Sequence, residues 1–353
     1  GTKLIWLCQN NQEIKNKIQS GAAYFGTVDT WLLYKLTGGT QYLTDYTNAS
    51  RTLLFNLDDL EWDQELITTL GLSGLHLPTP KPSAYSFGAS TFEGLFEKPV
   101  PITAMIGDSH AAAFGEGCLI PGTAKATLGT GCSVLMNIGT TPQLSNSGMI
   151  TTICWSTEER VDYALEGVIV SCGSTIEWLK NELQLFSESQ ATEAIATSVV
   201  DNNGVYIIPA FSGLGAPYWD MSRKASIEGL TFDCKKNHIV RAALETIPFQ
   251  IKAVLEAMQK DTGVAIEELM VNGGITSNNF VMEFLTDLLQ SNVIKSTMPD
   301  VSALGAAYLA ALGKGIFKDL NEVQQLFGNK EPLHSGKYPE AEQYFSTWNQ
   351  LIS

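Results

Sequence analysis

Leu269-Met270-Val271-Asn272-Gly273-Gly274-Ile275-Thr276-Ser277-Asn278-Asn279-Phe280 runs from a short β-like apolar stretch through a glycine pair into a helix, which Val281, Phe284, Leu285 and Leu288 continue at helical spacing. A strand that turns on glycine into a helix is a joint of layered α/β proteins, and the flanking sequence repeats the mixture. Upstream lie β-like runs at Ile102 to Ile106, Lys125 to Leu128, Ser133 to Ile138, Met149 to Trp155 and Val161 to Gly167. Helical patterns cover 173–183, 189–199 and, longest, 238–259, with Ile239, Ala242, Ala243, Ile247, Ile251 and Leu255 on one stripe. Further toward the N-terminus, residues 1–10 and 63–70 read as helices. Residues 27–37 read as a helix stopped by Gly38-Gly39, and His76 to Gly94, rich in Pro, Ser and Gly, as mostly loop. The fold class expected is α/β.

The 353 residues exceed what one core usually organises, so two domains, or one domain with part of another, are expected. With 44% hydrophobic and 17% charged residues the composition is that of an ordinary compact protein. The formal charge of −15 argues against nucleic acid, whose phosphates are gripped by clustered Lys and Arg. Six cysteines without a Cys-x-x-Cys pair and only four scattered histidines suggest neither a disulfide framework nor a transition-metal cluster. No segment approaches 18 uninterrupted apolar residues, and Gly1-Thr2-Lys3-Leu4 lacks signal-peptide character, so no membrane partner and a cytoplasmic location are expected.

Three stretches could carry chemistry. In Gly107-Asp108-Ser109-His110, a carboxylate between an apolar run ending at Ile106 and the helix-like Ala111-Ala112-Ala113-Phe114 could take a proton from a substrate hydroxyl; it could equally cap the helix. His110 reads as structural. Leu128-Gly129-Thr130-Gly131-Cys132-Ser133 lies between two β-like runs, hence at a hairpin tip, where glycines let backbone approach a phosphate and Thr130 can bond its oxygens. A purely structural turn fits the same residues, and no Gly-Lys-Ser/Thr follows to make a Walker loop. Gly273-Gly274 would let a flat adenine lie on backbone with Asn278 near a helix start, or would serve only as a tight turn. The loop Ser212-Gly213-Leu214-Gly215-Ala216-Pro217-Tyr218-Trp219 is equally ambiguous.

In their order along the chain these stretches resemble the glycerol kinase-like (FGGY) family of carbohydrate kinases. Lys3-Leu4-Ile5-Trp6-Leu7-Cys8-Gln9-Asn10 is similar to the latter part of that family's first signature. Ala225-Ser226-Ile227-Glu228-Gly229-Leu230, a seven-residue spacer and His238-Ile239-Val240-Arg241-Ala242-Ala243-Leu244-Glu245 match the second completely. Phe25 to Trp31 and Thr44 to Thr52 look most like the glycerol kinase branch, so the resemblance runs over essentially the whole chain.

The resemblance implies an actin-like ATPase (ribonuclease H-like) architecture of two related domains closing on ATP, Mg2+ and a small polyol or sugar. Residues 1–117 would be the C-terminal half of the substrate-side domain and 118–353 the nucleotide-side domain. It makes Asp108 the general base; Gly129, Thr130 and Gly131 the second phosphate loop; Gly173 and Glu177 nucleotide contacts; and Gly274 and Asn278 the adenosine motif. Ala303-Leu304-Gly305-Ala306-Ala307 resembles the helix on which the domains pivot. The family's first phosphate loop has no counterpart here, so the chain is expected to begin partway through the first domain and to be inactive alone. Ser109 and Ser133 stand where glycerol kinases carry a substrate-contacting glutamine and aromatic, which favours a four- or five-carbon polyol or ketose. A true glycerol kinase and a non-catalytic actin-like nucleotide-binding protein are the alternatives, and a homodimer is compatible with either.

Overall fold

The computed structural model describes residues 1–296, 298–327 and 330–352. The first part of the chain holds helices α1 (Thr2–Asn10), α2 (Gln12–Gln19), α3 (Val28–Leu36), α4 (Tyr46–Ser50), α5 (Gln64–Thr69) and α6 (Asp108–Gly115). Its strands β1 (Leu43–Asp45), β2 (Phe55–Asn56), β3 (Glu61–Trp62), β4 (Thr79–Lys81), β5 (Gly88–Ser90) and β6 (Val100–Ile102) are short. They pair only two by two, as β1-β4, β2-β3 and β5-β6. Ile18, Leu54, Ile67 and Leu72 form a small core of their own.

From residue 123 onward the chain builds one six-stranded sheet, from β7 (Thr123–Leu128), β8 (Cys132–Gly139), β9 (Ile150–Ser156), β10 (Val161–Ile169), β13 (Glu268–Asn272) and β14 (Asn292–Lys295). Between β10 and β13 come α7 (Gly173–Asn181), α8 (Thr192–Thr197), the hairpin strands β11 (Tyr206–Ile208) and β12 (Ser226–Glu228), and α9 (Lys236–Thr262). After β13 follow α10 (Asn279–Leu289), α11 (Val301–Gly313), α12 (Leu320–Gln325) and α13 (Ala341–Ile352). The strand order is β14-β13-β7-β8-β10-β9, parallel across β14-β13-β7 and antiparallel from β7 through β8 and β10 to β9.

Alternation along β8 decides which layer each face meets. Val134, Met136 and Ile138 join the large core under α9, whereas Leu135 packs with Ala113 and Phe114 of α6 and with Leu309 of α11. The stripe predicted on α9 is buried except at Ile239, but most of the helix's other side chains from Val240 to Met258 are buried too. Gly263, at φ 69°, ends that helix in the left-handed region.

The two parts meet where α6 lies against α11. A Cβ on Gly305 would fall 1.8 Å from the Ala111 carbonyl oxygen, and one on Gly115 2.6 Å from that of Val301. Only glycine permits this approach.

Several sequence expectations change. The strand expected at Ile102 to Ile106 is instead β6, ending at Ile102. Residues 103–107 have no partner strand and are held by isolated bonds, the Met105 amide to the Ser83 carbonyl and Thr103 Oγ1 to the Ala310 carbonyl. The stretch expected to be mostly loop contains β4 and β5, and 189–199 divides into a 3-10 turn at Ser189–Ala191 followed by α8.

Candidate functional site

A cavity of about 560 Å³ opens at one end of the six-stranded sheet, walled by the β7–β8 turn, the start of α7, the turn after β13 and the segment entering α8. Of the residues predicted from sequence for nucleotide binding, Gly129, Thr130, Gly173, Glu177, Gly274 and Asn278 line it, and Gly131 does not. Gly131 closes the hairpin, its carbonyl accepting from the Gly129 amide at 2.9 Å, and a Cβ there would sit 2.6 Å from the Ile169 carbonyl. The expected hairpin tip is present, since Leu128 pairs with Cys132 across the three-residue turn.

Backbone bonds fix this wall. The Gly173 amide donates to the Gly129 carbonyl (3.0 Å), and the Cys172 and Ser174 amides donate to that of Thr130 (3.0 and 3.1 Å). A side chain at Gly173 would meet the Gly129 carbonyl at 2.7 Å, so glycine there is a packing requirement. Gly273, at φ 100°, backs onto Leu128, whose carbonyl oxygen would lie 2.3 Å from a Cβ. At Gly274, by contrast, a Cβ meets nothing within 4 Å, so any larger side chain would enter the cavity.

Polar groups ring the opening. Glu177 accepts from Ser189 Oγ at 2.7 Å and pairs with Lys180, which holds its carboxyl below the usual carboxylate range. Asn278 caps α10, accepting from the Val281 amide (3.2 Å) while its Nδ2 donates to Thr192 Oγ1 (3.1 Å). The sequence reading left Asn278 free for contacts, whereas both ends of its amide are engaged in holding the cavity wall. Ser189, Gln190, Thr192 and Glu193 complete the rim. Sequence reasoning missed them because a polar helix start without glycine carries no motif.

Asp108 is the first residue of α6, and the N-cap is Gly107, so the carboxylate is not the cap that the alternative reading required. It is exposed and accepts from the adjacent Ser109 amide at 2.7 Å. The backbone around it is held from both sides. Ser302 Oγ on α11 donates to the Asp108 carbonyl (3.0 Å), and the Gly107 amide donates to Thr47 Oγ1 (2.9 Å). Thr47 in turn bonds Asp45, a fully buried carboxylate that receives five donors from Thr47, Asn48 and Ser83. Burial nevertheless pushes its pKa up to about 6. His110 is also buried, and desolvation, then the charges of Arg51 and Lys125, pushes it down to about 3. It is a neutral core ring, with Nε2 3.4 Å from Thr152 Oγ1.

Ser133 lies off this cavity. It shares its sheet face with Leu135, the face covered by α6, and its hydroxyl donates to Glu166 Oε1 at 3.1 Å. Ser109 is half-buried on the first turn of α6. The second signature proves to be scaffold. Arg241 Nε bonds Glu245 Oε1 at 2.7 Å deep in the core, Arg241 Nη1 reaches the carbonyls of Val199 and Val200, and Asn202 Nδ2 takes the other Glu245 oxygen.

Residues 1–115 match the model of the N-terminal domain, and residues 124–313 that of the C-terminal domain, of the FGGY family of carbohydrate kinases. The chain belongs to this family. This FGGY chain is 46% identical over 353 residues to a glycerol kinase of Fusobacterium nucleatum, covering all of this chain and 71% of that protein. It is 45% identical over 325 residues to a glycerol kinase of Thermoanaerobacter pseudethanolicus, covering 92% of this chain and 65% of the relative. The FGGY chain thus spans about two thirds of the length of such relatives. The crystal structure of Plasmodium falciparum glycerol kinase with ADP superposes with a TM-score of 0.90 at 36% identity, over 99% of this chain and 70% of that one. A xylulose kinase from Rhodospirillum rubrum, with a TM-score of 0.84 at 22% identity over 99% of this chain and 70% of that one, shares the fold alone. The fold is therefore the two-domain FGGY kinase fold of the actin-like ATPase class.

Proposed function

We propose that the protein carrying these residues transfers a phosphoryl group from ATP to a hydroxyl of a small polyol or ketose. Residues 118–353 form its nucleotide side and 1–117 its acceptor side, and it works in the cytoplasm. The observation that carries the reading is the convergence of six residues from three separate stretches, Gly129 and Thr130, Gly173 and Glu177, and Gly274 and Asn278, on one cavity. Its volume suits a small-molecule site, and the open position at Gly274 leaves backbone exposed for a flat base.

Among the described residues no group of three or more His, Cys, Asp or Glu is placed to hold a metal. Mg2+ would arrive with the nucleotide, since this ion is commonly held by phosphates, water and one or two carboxylates. When bound, it would neutralise phosphate charge.

Phosphoryl transfer needs positioning and charge stabilisation more than covalent help. Gly129 and Thr130 hold the transferring end of the nucleotide on a turn that Gly131 closes, and Asp108 takes the proton of the attacking hydroxyl. The bonds from Thr47 and Ser302 keep the turn at Gly107 and Asp108 in place. Closure of the two sides over the cleft excludes water, which would otherwise compete as acceptor.

The test is a coupled ADP-release assay of the full-length gene product with glycerol, erythritol, xylitol, ribulose and xylulose. ATP-dependent phosphorylation of at least one is expected; ADP binding without turnover on any would favour the non-catalytic reading. Ser109 and Ser133 favour an acceptor longer than glycerol. The names of the relatives favour glycerol itself, and a tenfold preference for glycerol, about 1.4 kcal/mol, would decide for it.

A further inference from the structure

We propose that Glu166, held by Arg51 from the other side of the cleft, confines the acceptor to neutral polyols and ketoses and turns away sugar acids; this rests on the kinase reading above. Glu166 stands on β10 and Ser133 on the neighbouring β8. In the register Glu166 opposes Leu135 and Val168 opposes Ser133, so both polar side chains lie on the face turned toward α6. Glu166 Oε1 accepts the Ser133 hydroxyl, and Oε2 lies 2.7 Å from Arg51 Nη1, an ion pair without hydrogen-bond alignment. Arg51 follows α4 in the first part of the chain. Beside it Ser50 Oγ is 3.0 Å from Thr152 Oγ1, which is 3.4 Å from His110 Nε2, two residues beyond Asp108. The three residues therefore tie the first part of the chain to the sheet face covered by α6, the helix that begins at the candidate base.

The first consequence concerns charge. The Arg51 side chain is 37% exposed, and an accessible guanidinium on the proposed acceptor side is a ready receptor for a carboxylate. Glu166, only 6% exposed, already fills that role from within the protein. An acidic acceptor would have to set a second negative charge next to a buried one or displace a carboxylate fixed on a sheet strand. The second consequence concerns hydrogen bonding. An ionised carboxylate only accepts, so the Ser133 hydrogen is committed to Glu166 and Ser133 is left to accept. A substrate hydroxyl can donate to it, whereas a substrate carboxylate has no hydrogen to give.

The experiment is calorimetric binding of xylitol and of xylonate to the full-length gene product, wild type and variants, so that the result does not depend on turnover. Wild type is expected to bind the polyol at least tenfold more tightly. Glu166→Gln keeps size and an acceptor for Ser133 but frees Arg51, and is expected to shift the acid-to-polyol affinity ratio tenfold or more toward the acid. Adding Arg51→Gln to it should abolish that gain. Wild type binding xylonate as well as xylitol overturns the proposal without need of any variant, as does a ratio in Glu166→Gln that moves less than tenfold. Selective polyol binding with no phosphorylation would instead sink the kinase reading and leave the role of Glu166 standing.

Discussion

On the proposed nucleotide side, everything that shapes the cavity is carried by residues 128–278 and rests on one six-stranded sheet. On the proposed acceptor side, Asp108 sits on a helix start whose neighbours come from α4, α11 and β9, and the first part of the chain has only two-stranded pairings, with a core of its own of four buried residues. Large apolar side chains are open to solvent in both parts, Tyr24, Val28 and Trp31 in the first and Leu144, Val200 and Phe232 in the second, whereas α9 is buried over most of its length. The difference teaches that a cavity formed within one sheet can be tuned one residue at a time. A reacting group at the junction of two parts depends on contacts with both.

The strongest way to separate the two sides is Asp108→Asn, which keeps size but removes basicity. Turnover of the full-length protein is expected to fall by roughly 10² to 10⁴, with ADP affinity by calorimetry unchanged. Parallel loss of ADP binding would mean that the sides are not separable.

Next in size, Arg241→Leu leaves the carboxylate of Glu245 buried beside Asn202 alone. Removing one partner of a buried pair costs about 3–5 kcal/mol. Urea denaturation should show a loss of that order, and a loss below about 1 kcal/mol would mean that the nucleotide side tolerates an unpaired charge.

Asp45 tests the acceptor side through pH. Its pKa in the folded protein, about 6, lies above the usual 3.8, so the native state holds the proton more tightly than the unfolded chain. The associated stability is present below pH 3.8 and is lost as pH rises to about 6, on the order of 3 kcal/mol in all. Asp45→Asn should flatten that part of the stability profile. Identical pH slopes in wild type and variant would show that the five donors, not burial, govern the carboxylate.

The smallest effect expected is at Gly274. A valine there projects into open space, so the melting temperature should hold while ADP affinity falls by about tenfold, roughly 1.4 kcal/mol. A lowered melting temperature with ADP affinity intact would place Gly274 in the scaffold instead.

Sequence periodicity alone determined that the chain is α/β, where the long helix runs, that residues 129–131 form a hairpin tip, and that a glycine turn joins β13 to α10. Each of these depends on neighbours along the chain, through alternation, helical spacing and the conformational freedom of glycine. The strand placed at Ile102 to Ile106 failed because a strand needs a partner and none is available to residues 103–107 beyond isolated bonds. Tertiary structure alone decided that Gly131 and Asn278 serve the walls, that Arg241 and Glu245 are scaffold, and that Ser133 is tied through Glu166 to Arg51. Those roles depend on which distant side chain claims a donor or an acceptor, and that competition is settled only when the layers pack.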